Sequence, residues 1–186
     1  MEFFPALNIG WLNGWLVIVF LGLTDAALFL VFPKAVVKRL WDRSGWSQKQ
    51  QSFTIAGKLC ALACLGLLTF TPLKVEQWVF DVGVILTLLG WIGLVKALLD
   101  FKNTPLDEPV TRGLYRISRH PQVVMSSVVI LGGCVMIASW AAIVFWAAAR
   151  LMEHVGILAE EDVCLKQYGE AYRAYMKRVP RYFLYF

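Results

Sequence analysis

Charge is what this chain has least of. Only 17% of its 186 residues are Asp, Glu, Lys or Arg, while 59% are hydrophobic; a soluble domain carries roughly a quarter charged. The few charges stand outside long apolar blocks, which excludes an ordinary soluble domain and indicates an integral membrane protein. Histidine is scarcer still: there are two, with no Cys, His or Asp spacing that suits a metal, so no metal site is expected. Four cysteines form no C-x-x-C pair. Cys60, Cys64 and Cys134 lie in apolar blocks and Cys164 in a polar segment, so they read as packing residues, not as a disulfide framework. No G-x-G-x-x-G and no Walker sequence occur. The net charge of +5 comes with no aromatic-interleaved basic patch, so nucleic acid is not an expected partner. Membrane lipids are, since basic residues on one face attract anionic headgroups. No repeat, low-complexity tract or linker interrupts residues 1–186, which read as one domain. Residues 1–101 hold three spans, and residues 102–186 hold a polar loop, a hairpin and a C-terminal cap.

What is present is a set of apolar runs. The first, Ile9 to Phe32, holds one acid, Asp25. It is too long for the apolar part of a secretory signal and ends in "FPKAVVKR", so it reads as a retained span. Further spans are expected at Phe53 to Pro72 and Trp78 to Phe101. The run Gln122 to Ala149 has no charge at all; as one helix its roughly 28 residues would reach about 42 Å, beyond the ~30 Å hydrocarbon core. Either one tilted helix spans there or two helices meet near Ala138 and Ser139 in "GGCVMIASW".

The basic residues favour the second arrangement. Lys34, Lys38, Arg39, Arg43 and Lys49 lie between the first two spans, and only Lys74 between the next two. Lys102, Arg112, Arg116 and Arg119 follow the third, and Lys166, Arg173, Lys177, Arg178 and Arg181 lie in the tail. Keeping all the basic segments on one side requires a double crossing. The expected fold is all-α, with about five transmembrane helices, the last two a hairpin, the N-terminus outside and the C-terminus inside. Tyr168, Tyr172, Tyr175, Met176 and Val179 repeat at helical spacing and predict an amphipathic C-terminal helix.

Two polar clusters fall on the basic side. In "RGLYRISRHPQ", Arg112 to Gln122, Pro121 suits a first helical position and sets His120 near the N-cap, where orphan amides favour an anion. An interfacial histidine beside topology-anchoring arginines explains the same residues without a ligand. The second cluster opens with Glu160, Glu161 and Asp162. On a helix these point 100° apart, so not all can face one pocket. A hairpin brings His120 beside the Glu160–Glu161 pair. Arg150, Glu153 and His154 lie nearer the membrane on the same helix, and intramembrane ionisable groups are functional candidates. Lys58, Asp81 and Lys96 are close enough to span ends to snorkel, whereas Asp25 is deeper and has no evident partner.

Together, "PVTRGLYRISRHPQ" and "EEDVCLKQYGEAYRAYMKRVPRYF" resemble the paired signatures of the isoprenylcysteine carboxyl methyltransferase and phospholipid methyltransferase superfamily. These are a G-x-Y-x-x-x-R-H-P motif and, after an apolar hairpin, an acidic pair followed by aromatic-Gly, Y-x-x-Y and V-P. The resemblance covers roughly Pro109 to Phe183. It implies a membrane methyltransferase that uses S-adenosylmethionine on the cytoplasmic side, with Tyr115, Arg119, His120, Pro121, Glu160 and Glu161 at the cofactor. The implied acceptor is lipophilic and enters from the bilayer: a phospholipid amine, or a prenylated or small hydrophobic thiol or carboxylate. For an amine, Glu161 is the expected proton acceptor; for a carboxylate, Arg150 the expected orienting group. Val123 and Met125 stand where many members carry a tyrosine and a small residue, which bears on the acceptor side. The tail also resembles the ending of NADPH-dependent sterol reductases, which have many more spans. A non-enzymatic scaffold of the same fold is the third reading.

Overall fold

A backbone in hydrocarbon has no water to bond, so each apolar run must satisfy its own amides and carbonyls as a helix. The computed structural model describes residues 1–41 and 46–183. Arg43, and the side chain of Lys49, lie outside the described residues. Those described form six α-helices and one 3-10 turn: α1 Trp15–Val31, α2 Lys34–Leu40, α3 Gln48–Phe70, α4 Trp78–Lys102, the turn Gly113–Arg116, α5 Pro121–Met136 and α6 Trp140–Arg178. Helices α3, α4 and α6 are long and apolar enough to cross a membrane, while α1 and α5 are apolar but shorter, about 24–26 Å each at 1.5 Å per residue. Large side chains such as Leu30, Leu59, Ile85 and Leu151 are exposed, as expected where hydrocarbon is the solvent.

The expected hairpin is present. Helix α5 ends at Met136, Ala138 takes a left-handed φ of 54°, and Ser139 caps α6 by accepting the Ala142 amide at 3.2 Å. The first amides of α6 have no partner within the helix. They are met from an unexpected quarter, since Trp140 donates to the Glu2 carbonyl and Ala141 to that of Phe3.

That contact revises the first span. The apolar run from Ile9 does not continue as helix; α1 starts at Trp15. Residues 2–14 instead lie across the end of the bundle, where Asn8 donates to Phe70, Gly14 to Thr71, and Leu73 back to Leu12. The buried Asn13 amide bonds to the carbonyls of Asn8 at 2.6 Å and Thr69 at 3.2 Å. The expected C-terminal amphipathic helix is present, beyond a kink. It continues α6 to Arg178 through one break at Gly169 (φ 53°, ψ −126°). Beyond the break Tyr172, Tyr175 and Val179 are buried with Tyr168 and Met176 packed against them.

Helices pack in two pairs, α4 with α5 and α3 with α6, and α1 lies across α3 and α5. Lipid gives no hydrophobic drive between helices, so close approach through small residues supplies the contact. A Cβ on Gly132 would sit 2.4 Å from Thr87 Oγ1 and 2.6 Å from the Gly83 carbonyl, and one on Gly90 2.8 Å from the Val129 amide. Gly66 meets nothing within 4 Å. Gly132→Ala is therefore expected to destabilise the protein by roughly 1–3 kcal/mol through forced separation of α4 and α5. Gly66→Ala is expected to be neutral or stabilising by up to about 1 kcal/mol, as usual for glycine inside a helix. Unfolding midpoints of the two variants in one detergent separate these outcomes.

Candidate functional site

The end of the bundle away from the hairpin turn collects the polar segment between α4 and α5 and the one that follows the apolar part of α6. There α4 stops and the chain turns through the 3-10 element towards α5. Asp100, on the last turns of α4, accepts the Leu114 amide at 3.0 Å and pairs with Lys96 at 3.5 Å. Gly113 has φ +55°, and a Cβ there would fall 1.9 Å from Asp100 Oδ2, so the turn needs glycine for both conformation and space. The turn delivers Tyr115 into the interior, where its carbonyl accepts the Tyr175 hydroxyl at 2.7 Å. Arg112 and Arg116 stay exposed while Arg119 is buried. His120 is the N-cap of α5 and Pro121 its first residue.

Arg119 and the C-terminal segment are sutured together. The Arg119 backbone amide donates to Pro180, and its guanidinium Nη1 donates to the carbonyls of Met176 and Val179, both at 2.9 Å. The same guanidinium donates through Nε to Glu161 Oε1 at 2.8 Å. Arg181 reaches the other side of that carboxylate, Nη2 to Oε2 at 2.8 Å, and its backbone carbonyl accepts the Ser118 hydroxyl. His120 Nε2 lies 3.2 Å from Glu161 Oε1, and its Nδ1 faces Glu160 Oε2 at 3.8 Å. Glu161 is 2% exposed. Burial pushes its carboxyl up, but hydrogen bonds from His120 and Arg181 and the nearby Arg119 charge outweigh it and hold the group at about 2.

Beside this cluster lies a cavity of about 370 Å³, within the roughly 300–1,000 Å³ of small-molecule sites. Its polar wall includes Tyr115, Arg119, His120 and Glu160, so four of the expected cofactor residues meet there. Pro121 and Glu161 stand behind that wall, Pro121 starting the helix and Glu161 holding the arginines. The two adjacent acids thus divide as their 100° separation requires: Glu160 towards the cavity, Glu161 into the ionic cluster. Arg150 does not join them. It pairs with Glu153 on its own helix, about 16 Å along the axis from Glu161, and it does not line the cavity. His154 bonds the Tyr182 hydroxyl at 2.8 Å and so tethers the tail.

Four further residues belong to the site. Arg181 was legible only as the residue after V-P in the second signature. Arg39 of α2 donates to the carbonyls of Pro105 and Glu108 and to the Tyr168 hydroxyl, with its guanidinium 5.1 Å over the Phe101 ring; a basic residue after a span carries no sign of such a role. Asp25, on α1, also lines the cavity. Cys164 does too, and burial first, then Glu160, pushes its thiol up to about 11, so it stays protonated at neutral pH.

Removing the Glu161 charge leaves two arginines facing an uncharged partner. Glu161→Gln is expected to destabilise the fold by about 3 kcal/mol or more, read from unfolding midpoints. A carboxyl held below its ordinary 4.5 contributes fully above that value and loses its contribution as pH falls towards about 2. The difference between wild type and Glu161→Gln is therefore expected to be flat from pH 5 to 8 and to shrink progressively below about pH 4.5.

In comparison with protein families, residues 77–171 match the phospholipid methyltransferase family, slightly more than half of the chain. No curated protein and no solved structure matches. The matched stretch runs from the start of α4 to just past the break in α6. It holds Tyr115, Arg119, His120, Glu160 and Glu161 together with the hairpin that brings them side by side. An apolar, all-helical chain matched across its two pocket-forming segments is thereby a member of the phospholipid methyltransferase family, whose proteins are membrane methyltransferases.

Proposed function

We propose that the cavity binds S-adenosylmethionine and that the protein passes its methyl group to a lipophilic acceptor reached from the bilayer. The observation that carries this reading is the meeting of Tyr115, Arg119, His120 and Glu160 on one cavity wall, inside the family-matched stretch.

The residues suit the ligand's chemistry. Glu160 is an anion for the cofactor's ammonium. The α5 N-terminus with His120 favours its carboxylate. The Gln122 Nε2 donor is buried without a hydrogen-bond partner among the described residues, and Gln122 lines the cavity. Tyr115, Tyr168 and Tyr172 offer aromatic surface for the adenine. Bound there, the cofactor supplies a methyl group already activated as a sulfonium. What remains for the protein is positioning and exclusion of water. The C-terminal segment, fastened through Arg119 and Glu161, covers the polar end. Leu94, Leu98 and Phe101 line the apolar end, where a hydrocarbon tail fits. Glu161, engaged by three cations or donors, acts on this reading as the anchor of the wall and not as a proton acceptor. Arg150, paired with Glu153, leaves the orientation of the acceptor to groups on the cavity wall itself.

The same residues support a sidedness for the proposed site. Lys34, Lys38, Lys102, Arg112, Arg116 and the basic tail flank the cavity end of the helices, with Lys74 at the other end. The positive-inside rule then assigns the cavity to the cytoplasmic side, with five spans and the N-terminus outside.

Calorimetric titration of S-adenosylhomocysteine into the detergent-purified protein tests the reading. Micromolar binding is expected. His120→Ala and Glu160→Gln are each expected to weaken it at least tenfold, about 1.4 kcal/mol, while NADPH gives no heat. Binding of NADPH in place of the thioether would transfer the site to reductase chemistry. Silence from both in folded protein would leave a scaffold.

A further inference from the structure

Among the described residues the cavity wall is fastened along two seams of different kinds. One is the buried junction on Glu161, where Arg119, Arg181 and His120 meet a carboxylate that is 2% exposed. The other is made by Arg39 of α2, which reaches two segments far from it in sequence. Its Nη1 donates to the Pro105 carbonyl at 2.9 Å, and its Nη2 to the Glu108 carbonyl at 2.7 Å and the Tyr168 hydroxyl at 3.0 Å. That hydroxyl donates in turn to the Leu106 carbonyl at 3.3 Å. The guanidinium carbon lies 5.1 Å over the Phe101 ring and 5.8 Å over the Tyr168 ring. Arg39, Phe101, Pro109 and Tyr168 all line the cavity. One side chain thus holds both ends of the 105–108 loop, together with Tyr168, which stands immediately before the break at Gly169. The two seams part with unequal ease. Opening the Glu161 junction leaves an uncompensated charge away from water. The bonds from Arg39 to the loop are exposed and their acceptors are uncharged carbonyls, so water replaces each one as it breaks.

We propose that the cavity opens and closes between α2 and the 105–108 loop, and that Arg39 is the latch that sets how fast its ligand exchanges. The inference rests on the methyltransferase reading of the same cavity, and Arg39 lies outside residues 77–171, the stretch matched to the family. Arg39 acts as a positioning residue. With its bonds made, the loop and Tyr168 are held over the ligand. With them broken, α2 and the loop separate and the cavity meets water. A guanidinium suits this task because its donors form a rigid fork that serves several acceptors at once, whereas a lysine ammonium is a point charge on a flexible stem. Loss of the latch speeds entry as well as exit, since both wait on the same opening. Loss of a direct ligand contact, or distortion of the pocket, speeds exit without speeding entry.

The test uses the full chain in phosphatidylcholine nanodiscs, with wild type, Arg39→Gln, Arg39→Lys and Tyr168→Phe compared. Association and dissociation rates of S-adenosylhomocysteine are followed by surface plasmon resonance. Hydrogen–deuterium exchange of residues 103–110 is measured with and without that ligand. Arg39→Gln is expected to release the ligand about tenfold faster and to bind it about threefold faster, with faster exchange at 103–110 in both states. Arg39→Lys is expected to stay within about threefold of Arg39→Gln. Tyr168→Phe keeps the ring and loses the hydroxyl, so both rates should rise by a smaller factor. That variant decides the matter if Arg39→Gln does not fold, because unchanged rates in it overturn the latch. Slower or unchanged association in folded Arg39→Gln would overturn the proposal, as would equal exchange at 103–110. Return to wild-type rates in Arg39→Lys would also overturn it, by making Arg39 a charge that attracts the ligand. Each of these leaves the cofactor site standing. If wild type binds no S-adenosylhomocysteine, the methyltransferase reading falls and exchange in the ligand-free proteins judges the latch alone: faster exchange in Arg39→Gln supports it, and equal exchange overturns it.

Discussion

The carboxylate of Glu161 is the point on which the rest of the site depends. Two arginines and a histidine converge on it, Arg119 and Arg181 at 2.8 Å and His120 at 3.2 Å, in a place with almost no solvent. Removing such charges from water costs several kcal/mol per ion, and the arrangement holds only because geometry and extra hydrogen bonds offset that cost. Here they do. Arg119 gives its remaining donors to the carbonyls of Met176 and Val179, which otherwise lie at the unsatisfied end of a helix. One cluster therefore joins the segment before α5, the middle of α6 and the segment after α6. The wall of the cavity is built by that junction.

The junction also explains why the two polar segments must flank a hairpin. Arg119 and Glu161 are separated by two apolar helices that cross to the far end and return. Their meeting requires α5 and α6 to begin and end in register, which the Ala138 turn and the glycine contacts of α4 with α5 secure. At the far end the residues before α1 fasten the turn through Glu2 and Phe3. Positioning of the pocket is thus distributed along the whole length of the bundle, although its polar groups are all at one end.

Much of this was legible in the sequence, for identifiable reasons. Apolar runs of span length announce themselves by composition, and the uncharged stretch left one tilted helix or a hairpin, between which the basic residues on either side favoured the hairpin. Pro121 located the start of α5 and therefore His120. The beginning of α1 was not legible from hydropathy, because a segment that packs on protein and one that faces lipid have the same composition. The polar and flexible residues Asn8, Gly10, Asn13 and Gly14 were the available sign. The kink at Gly169 that sets the C-terminal amphipathic helix off from the rest of α6 was not legible from the tyrosine spacing alone. Which of Glu160 and Glu161 would face the ligand could not be read at all. A 100° step separates them, and only the positions of Arg119 and Arg181 decide it. By charge alone Arg119 could not be told from Arg112 and Arg116; the family resemblance singled it out, and burial sets it apart from both.

Asp25 and Arg150 began with the same standing, as ionisable groups within apolar runs. The fold treats them in opposite ways. Arg150 finds Glu153 one turn along its helix, and their charges cancel locally, so the pair asks nothing of a ligand. Asp25 has no such neighbour: the positions one turn away, Gly22 and Leu28 with Leu21 and Phe29, are apolar. Glu161 shows how readily this chain surrounds a carboxylate with arginine where an anchor is wanted. Among the described residues no such partner meets Asp25 on the cavity wall, and that sets it apart from Glu161, which holds the structure.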